Sequence, residues 1–203
     1  MKKLLIATKN PGKIIEIKSF LKDLPFETVS LKDVDIDDDV KETGKTYEAN
    51  SLKKALFYAK LSGLPTISDD GGLEIKALNG APGVKSRRWL GHEATDEELI
   101  KHMIKVTKEL PENNRTAYFK TVMTFAIPNG KYFQSKGKVK GEIAKKPLLK
   151  LLKGYPFRSF FFLPQINKFY HESQLLKEEE KVYNHRYKAL TKLKPIIIRE
   201  LGL

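Results

Sequence analysis

"TISDDGGLEIKALNGAPGVKSRRW", residues 66–89, decides how this chain is read. A short apolar run ends in two adjacent carboxylates, Asp69 and Asp70, and five of the next thirteen residues are glycine or proline. Ile67 and the aspartates read as the carboxyl end of a strand followed by a freely bending turn, the place where α/β sheets gather ligands. Neighbouring carboxylates repel. That repulsion is best tolerated where a hard cation such as Mg²⁺ is shared with substrate phosphates. Read alone, the pair is more simply a solvated turn; Glu42 and Glu48, flanking the flexible "TGK" of 43–45, offer further oxygen ligands to a cation.

Working outward toward the N-terminus, Gly63 and Pro65 stop a helix predicted over Thr46–Leu61, with Leu52, Ala55, Leu56 and Ala59 on one face. The acidic "DVDIDDDVKETG" (33–44) has no periodicity and reads as a loop, and "FETVSL" (26–31) as a short strand. "KKLLIAT" (2–8) reads as a buried strand. After "KNPG", the apolar positions Ile14, Ile17, Phe20, Leu21 and Leu24 recur at helical spacing. Toward the C-terminus, Thr95 and Glu98 form a capping-box signature for a helix over 95–109, and residues 115–143 read as a long hairpin turned at "PNG". Beyond "KKPLLKLLKG" the apolar "FFFLP" predicts a buried strand, then one charged helix from about Glu178 to Lys192. Strands alternating with helices, plus a hairpin, predict an α/β fold with a mixed sheet.

Composition sets bounds. At 203 residues and 40% hydrophobic content the chain buries a real core. The 38 Lys and Arg against 25 Asp and Glu, a formal charge of +13, favour anionic partners: nucleotides, nucleic acid or acidic membranes. The absence of cysteine excludes a disulfide framework and a thiolate metal site. Without a charged-then-apolar leader or a long apolar span, the expectation is a cytoplasmic protein with no membrane partner. Aromatics are not interleaved with one basic stripe, so a nucleic-acid partner rests on net charge alone.

Two further stretches carry chemistry. "ATKNPGK" (7–13) joins strand to helix with residues that expose backbone N–H groups, a phosphate cradle to which Lys13 adds charge. It lacks the Walker spacing, and an ordinary βα turn reads the same way. "YNHRYKAL" (183–190) places His185 and Arg186 at a helix start, an imidazole and a fork-shaped cation suited to a heterocycle and to phosphate or carboxylate; a solvated helix face is the plainer reading.

Four segments together resemble the inosine triphosphate pyrophosphatase family: "IATKNPGKIIE" (6–16), "ETGKTYEANSLKKA" (42–55), "SDDGGLEIKALNGAPGVKSRRW" (68–89) and "EEEKVYNHRYKAL" (178–190). The resemblance spans nearly the whole chain. It implies an elongated mixed-sheet α/β fold of two lobes with a central cleft, one domain over 1–203, and a homodimer. It also implies a Mg²⁺ requirement and hydrolysis of ITP, dITP or XTP to the monophosphate and pyrophosphate. Residue by residue, the resemblance implies that Thr8, Lys9, Asn10 and Lys13 form the phosphate-contacting loop and that Lys54 approaches the phosphates. Asp70 matches the general base and metal partner, Asp69 its neighbour, and His185 and Arg186 the pair that reads the purine.

The chain also departs from the family pattern. Lys41 stands where a metal-ligating glutamate is usual, leaving Glu42 as the neighbouring candidate, and Ala49 replaces an acidic residue. Gly71 replaces a serine that contacts substrate. Glu180 stands where a lysine is usual, with Lys181 one step on. In the base-contacting segment Phe157 keeps a ring able to stack on a base, while Arg158 reverses the charge of an aspartate. Lys41 and Arg158 keep open a second reading, a same-fold nucleotide-binding protein with impaired turnover. A basic nucleic-acid-binding module is the third.

Overall fold

In the computed structural model, which describes residues 2–203, the N-terminal apolar run forms strand β1 (Lys3–Ile6). An unbroken apolar run suits a strand covered on both faces. Leu4 and Ile6 pack with Ile17, Phe20 and Leu21 in one cluster, while Leu5 packs with Val29 and Tyr58 in another. Helix α1 (Pro11–Leu21) follows at once: Asn10 caps it, its side chain accepting from the Lys13 N–H at 3.1 Å, and Pro11 takes the first turn, where no N–H is needed. Strand β2 (Glu27–Ser30) runs parallel to β1. Helix α2 (Tyr47–Ser62) starts at the Thr46 cap and stops at Gly63, whose φ of +68° is the left-handed value a C-terminal glycine supplies.

Strand β3 (Thr66–Ile75) corrects the expectation of a strand that ends at the aspartates. It continues straight through Asp69, Asp70, Gly71 and Gly72. The reason lies across from Gly72, where a Cβ would sit 2.2 Å from Ser86 Oγ and 2.4 Å from Gly83 O. The glycine is there for close approach, not for a bend. Ser86 Oγ instead accepts from the Leu73 N–H at 3.0 Å, and the chain turns only after Ile75, at Asn79 and Gly80 with φ of +52° and +87°.

Helix α3 (Asp96–Glu109) carries the full capping box of Thr95 and Glu98. Strands β4 (Thr116–Ala126) and β5 (Tyr132–Ile143) form the predicted hairpin, and β6 (Phe161–Leu163) and β7 (Lys168–Phe169) add antiparallel to β5 in turn. The strand order is β2-β1-β3-β4-β5-β6-β7, parallel among the first three, a mixed sheet as expected. The single charged helix is instead two, α4 (Lys177–Tyr183) and α5 (His185–Leu201), divided at buried Asn184, whose backbone is extended. No helix among the described residues is long and apolar enough to cross a membrane.

The chain divides into two compact units. The first takes the chain up to Asp70, Thr121–Gly137 and Arg186–Leu203; the second takes Gly71–Lys120 and Lys138–His185. The first is built on apolar clusters around β1, α1, α2 and α5. The second has one core, in which Leu73, Leu99, Met103, Phe119, Phe161 and Tyr170 meet.

Candidate active site

In the first unit, the two carboxylates leave the strand in opposite directions, as successive strand residues must. Asp69, with no exposed surface, faces α1 and α5: its Oδ1 lies 3.2 Å from Lys13 Nζ, and its Oδ2 accepts from Arg186 Nε at 2.9 Å. Arg186 Nη1 donates in turn to buried Glu16 at 3.0 Å. Asp70 faces α2, where Asn50 Nδ2 donates to its Oδ2 at 3.0 Å. Asn50 is itself aimed by the Gly44 N–H, which donates to its Oδ1 at 2.7 Å. A Cβ on Gly44 would fall 2.6 Å from that oxygen, so the glycine of "ETGK" is what lets the loop lie on Asn50.

Lys54 links the two carboxylate surroundings. Its Nζ donates to Asp69 O at 2.7 Å and pairs closely with Glu42. Lys53, pointing the other way, donates to Lys41 O at 2.8 Å and to Thr43 Oγ1 at 3.1 Å, pinning the segment that carries Glu42. Thr121 Oγ1 lies 3.0 Å from Asp70 O and 3.4 Å from Asp69 Oδ2. In the loop before α1, Thr8 Oγ1 accepts from the Asn10 N–H at 3.2 Å, while Lys9 reaches away to Asp37 O at 3.0 Å.

These surroundings poise the aspartates differently. Burial alone would raise both. At Asp69 the burial penalty is outweighed by Lys13, Arg186 and Lys54, which hold its carboxyl well below the usual carboxylate range. At Asp70 burial prevails over Lys54, and with Glu42 nearby the carboxyl is raised to about 6. Burial lowers Lys13 despite Asp69; at Lys54 burial is outweighed by Glu42, Asp70 and Asp69, so its ammonium is held more firmly. One carboxyl is held toward its charged form and the other pushed toward taking a proton, a division typical of acid–base sites.

In the second unit the remaining sequence candidates gather around rings. His185, buried, stacks on Phe119 at 5.3 Å between centroids and 17° between planes, and its Nδ1 lies 3.1 Å from Tyr170 Oη. The Arg158 guanidinium lies 3.9 Å from the Tyr155 ring centroid and 4.5 Å from that of Tyr170. Phe157 is buried in the core, edge-on to Trp89 at 6.0 Å. Lys181 is exposed on α4, and Gly71 is half-buried on β3.

The structure thus brings Lys13, Glu42, Lys54, Asp69, Asp70 and Arg186 together in one unit and sets Phe157, Arg158 and His185 in the other. Sequence reading passed over Glu16, Asn50, Thr121, Phe119 and Tyr170. Asn50 had a signal, since it lies four residues before Lys54 on the same helix face. Glu16 had none, because its partner Arg186 is 170 residues away.

Comparison with known proteins fits this arrangement. The Ham1 family model matches residues 4–196. The dITP/XTP pyrophosphatase of Thermoanaerobacter pseudethanolicus is 40% identical over 200 residues, covering 98% of each chain. That of Geobacter sulfurreducens is 37% identical over 194 residues, covering 96% of each. Among solved structures, a HAM1 protein from Coxiella burnetii superposes with a TM-score of 0.81 at 32% identity, covering 98% of this chain and 100% of that one. The Staphylococcus aureus Ham1 protein gives 0.79 at 33% identity with the same coverage.

Proposed function

The chain belongs to the Ham1 family, and we propose that it hydrolyses non-canonical purine nucleoside triphosphates, dITP, XTP and ITP, to the monophosphate and pyrophosphate. The observation that carries this reading is the presence of Asp70, raised to about 6, in one cluster with Lys13 and Lys54. A carboxylate of that basicity is mostly ionised at neutral pH and still takes a proton from an attacking water. Asn50 fixes its Oδ2. Lys54 and Lys13 supply positive charge for the phosphates, and Asp69 keeps both of them in place through its carbonyl and its carboxylate. With Lys13, Arg186 and Thr121 around it, Asp69 serves in this reading as their anchor, and metal coordination falls to Asp70 and Glu42.

Mg²⁺ suits these donors. Glu42 adds negative charge where Asp70 already resists ionising, and a hard cation relieves that surplus. Among the described residues no three His, Cys, Asp or Glu side chains cluster, so in this reading the cation takes Asp70 and Glu42 and fills its shell with water and phosphate oxygens. When bound, Mg²⁺ neutralises polyphosphate charge and polarises the phosphoryl group. Base reading is assigned to His185, Phe157 and Arg158, while Arg186, which the resemblance implies as the second purine-reading residue, is bound here to Asp69 and Glu16. A 6-oxo purine accepts where adenine donates, so a donor aimed at that atom is left unpaired by adenine. Thr8, Lys9, Asn10, Gly71 and Lys181 complete the proposed substrate contacts, and the working assembly is a cytoplasmic homodimer.

The test is pyrophosphate release from dITP, XTP and dATP with Mg²⁺ and with a chelator, beside an Asp70→Asn control. Release from dITP and XTP that needs the metal and is lost in the control is the expected result. Tight nucleotide binding with no release above the control would instead establish the impaired-turnover reading.

A further inference from the structure

Helix α2 presents Asn50 and Lys54 to the cluster, and something must fix how far along β3 that helix lies. Where it faces β4 its inner side is small, Ala55 and Ala59 packing on Ala126, while Tyr58 packs beside Leu5 and Val29. Such contact brings helix and sheet close, yet apolar contact is non-directional and leaves sliding unopposed. One turn before Ala55, on the same face, stands Ser51, with no exposed surface. Ser51 Oγ lies 2.7 Å from Thr124 Oγ1 on β4 and 3.2 Å from Ser68 Oγ on β3. Ser68 Oγ donates to the Ser51 carbonyl at 2.6 Å. Gln134 of β5 donates to Thr124 Oγ1 at 2.9 Å and to Glu48 O, in the first turn of α2, at 2.9 Å.

Ser68 and Gln134 are fixed as donors, to the Ser51 carbonyl and to Thr124 Oγ1, and one order of the remaining protons satisfies every hydroxyl. Gln134 donates to Thr124, Thr124 to Ser51, Ser51 to Ser68, and Ser68 returns its proton to the Ser51 carbonyl. Every hydroxyl donates once and accepts once, in a dry interior where directional bonds are strong and unpaired ones costly. Ser51 is the residue after Asn50 and three before Lys54; Ser68 is the residue before Asp69.

We infer that Ser51, Ser68 and Thr124 are positioning residues, a buried hydroxyl chain that sets α2 against β3 and so fixes the reach of Asn50 to Asp70 and of Lys54 to Glu42 and the Asp69 carbonyl. The kinetic part rests on the hydrolytic reading above; the geometric part does not.

The decisive pair is Thr124→Val, which keeps the shape and removes the hydroxyl, and Thr124→Ser, which keeps the hydroxyl. Two readouts are taken: dITP turnover, and trace acetylation of Lys54 relative to its neighbour Lys53, followed by mass spectrometry. Thr124→Val is expected to lower kcat about tenfold or more with KM changed less than about twofold, because a misplacement of about 1 Å is felt mainly in the transition state. It is also expected to raise Lys54 labelling several-fold, while Thr124→Ser restores both. Should Thr124→Val fail to fold, Ser51→Ala gives the same two readouts.

Unchanged labelling and a kcat within about twofold of wild type would overturn the inference, as would a Thr124→Ser protein as impaired as Thr124→Val. Labelling raised alike at Lys54, Lys13 and Lys53 would show general loosening, and would also overturn it. If wild type releases no pyrophosphate, the hydrolytic reading alone has failed, and the labelling ratio still decides the geometry.

Discussion

The charged centre of the first unit and the ringed centre of the second solve the problem of burying polar groups in opposite ways. In the first, Glu16, Lys54, Asp69, Asp70 and Arg186 are all buried, and each is sustained by an opposite charge or a directed hydrogen bond. In the second, His185 and Arg158 are buried among Phe119, Tyr155 and Tyr170, and stacking and the Tyr170 hydroxyl are among the contacts that hold them. His185 and Arg186 are neighbours in sequence, yet one belongs to each centre. A network of buried charge is unforgiving, because losing one partner strands another, whereas losing a ring contact removes only that contact. The first centre therefore fits chemistry that moves charge, and the second fits recognition of a flat, apolar-faced group.

The sharpest way to break this contrast is Asp70→Asn. Turnover is expected to fall by about 10³-fold or more, the range for removing a positioned general base, read as pyrophosphate release. Stability should move the other way. A carboxyl raised to about 6 binds its proton more tightly folded than unfolded, so it favours the native state below about pH 4, and that advantage is lost as pH rises to about 6. Above that pH the buried charge costs on the order of 3 kcal/mol. The metal-free variant should thus be more stable than wild type at pH 8, and the gap should close toward pH 4 in urea titrations.

Arg186→Met tests the claim that the charged centre is unforgiving. It strands Asp69 and Glu16 together, an expected loss of about 3–5 kcal/mol in urea unfolding at neutral pH. Asp69, held low in the folded state, contributes stability that is present above about pH 4 and lost as pH falls further. The deficit of Arg186→Met should therefore shrink in acid, and a deficit independent of pH would contradict the assignment of Asp69 as the anchor.

Gly44→Ala sharpens the comparison without touching a charge. The new methyl meets Asn50 Oδ1 and forces Asn50 off Asp70, so turnover should drop about tenfold while the melting temperature moves little. The smallest effect is expected in the ringed centre. Tyr170→Phe removes a hydroxyl that meets His185 Nδ1, for about 1 kcal/mol of stability, and should narrow the preference for dITP over dATP more than it lowers turnover. A loss in Tyr170→Phe as large as that of Arg186→Met would erase the distinction between the two centres.

Much of the fold was legible because it is local. The Thr95–Glu98 capping box, Asn10 and Pro11 before α1, the "PNG" hairpin and the Thr46–Gly63 limits of α2 each involve residues a few positions apart, whose preferences are written in their own side chains. The run of β3 past Asp70 was not legible. Glycines signal a bend when nothing is known to approach them, and here Ser86 and Gly83 do. The helix break at Asn184 was hidden in the same way, since a charged, helix-favouring stretch gives no local reason to stop.

By itself the sequence determined the kind and order of most elements up to the β4–β5 hairpin, the family, and the presence of paired aspartates beside lysine-bearing segments. Only the tertiary structure decided that the two aspartates part company. Asp69 goes to Arg186, 117 residues away, and Asp70 to Asn50 and a raised affinity for its proton. Charge is carried by the residue type, but its acidity belongs to the surroundings, and those are assembled from chain segments that no local pattern brings together.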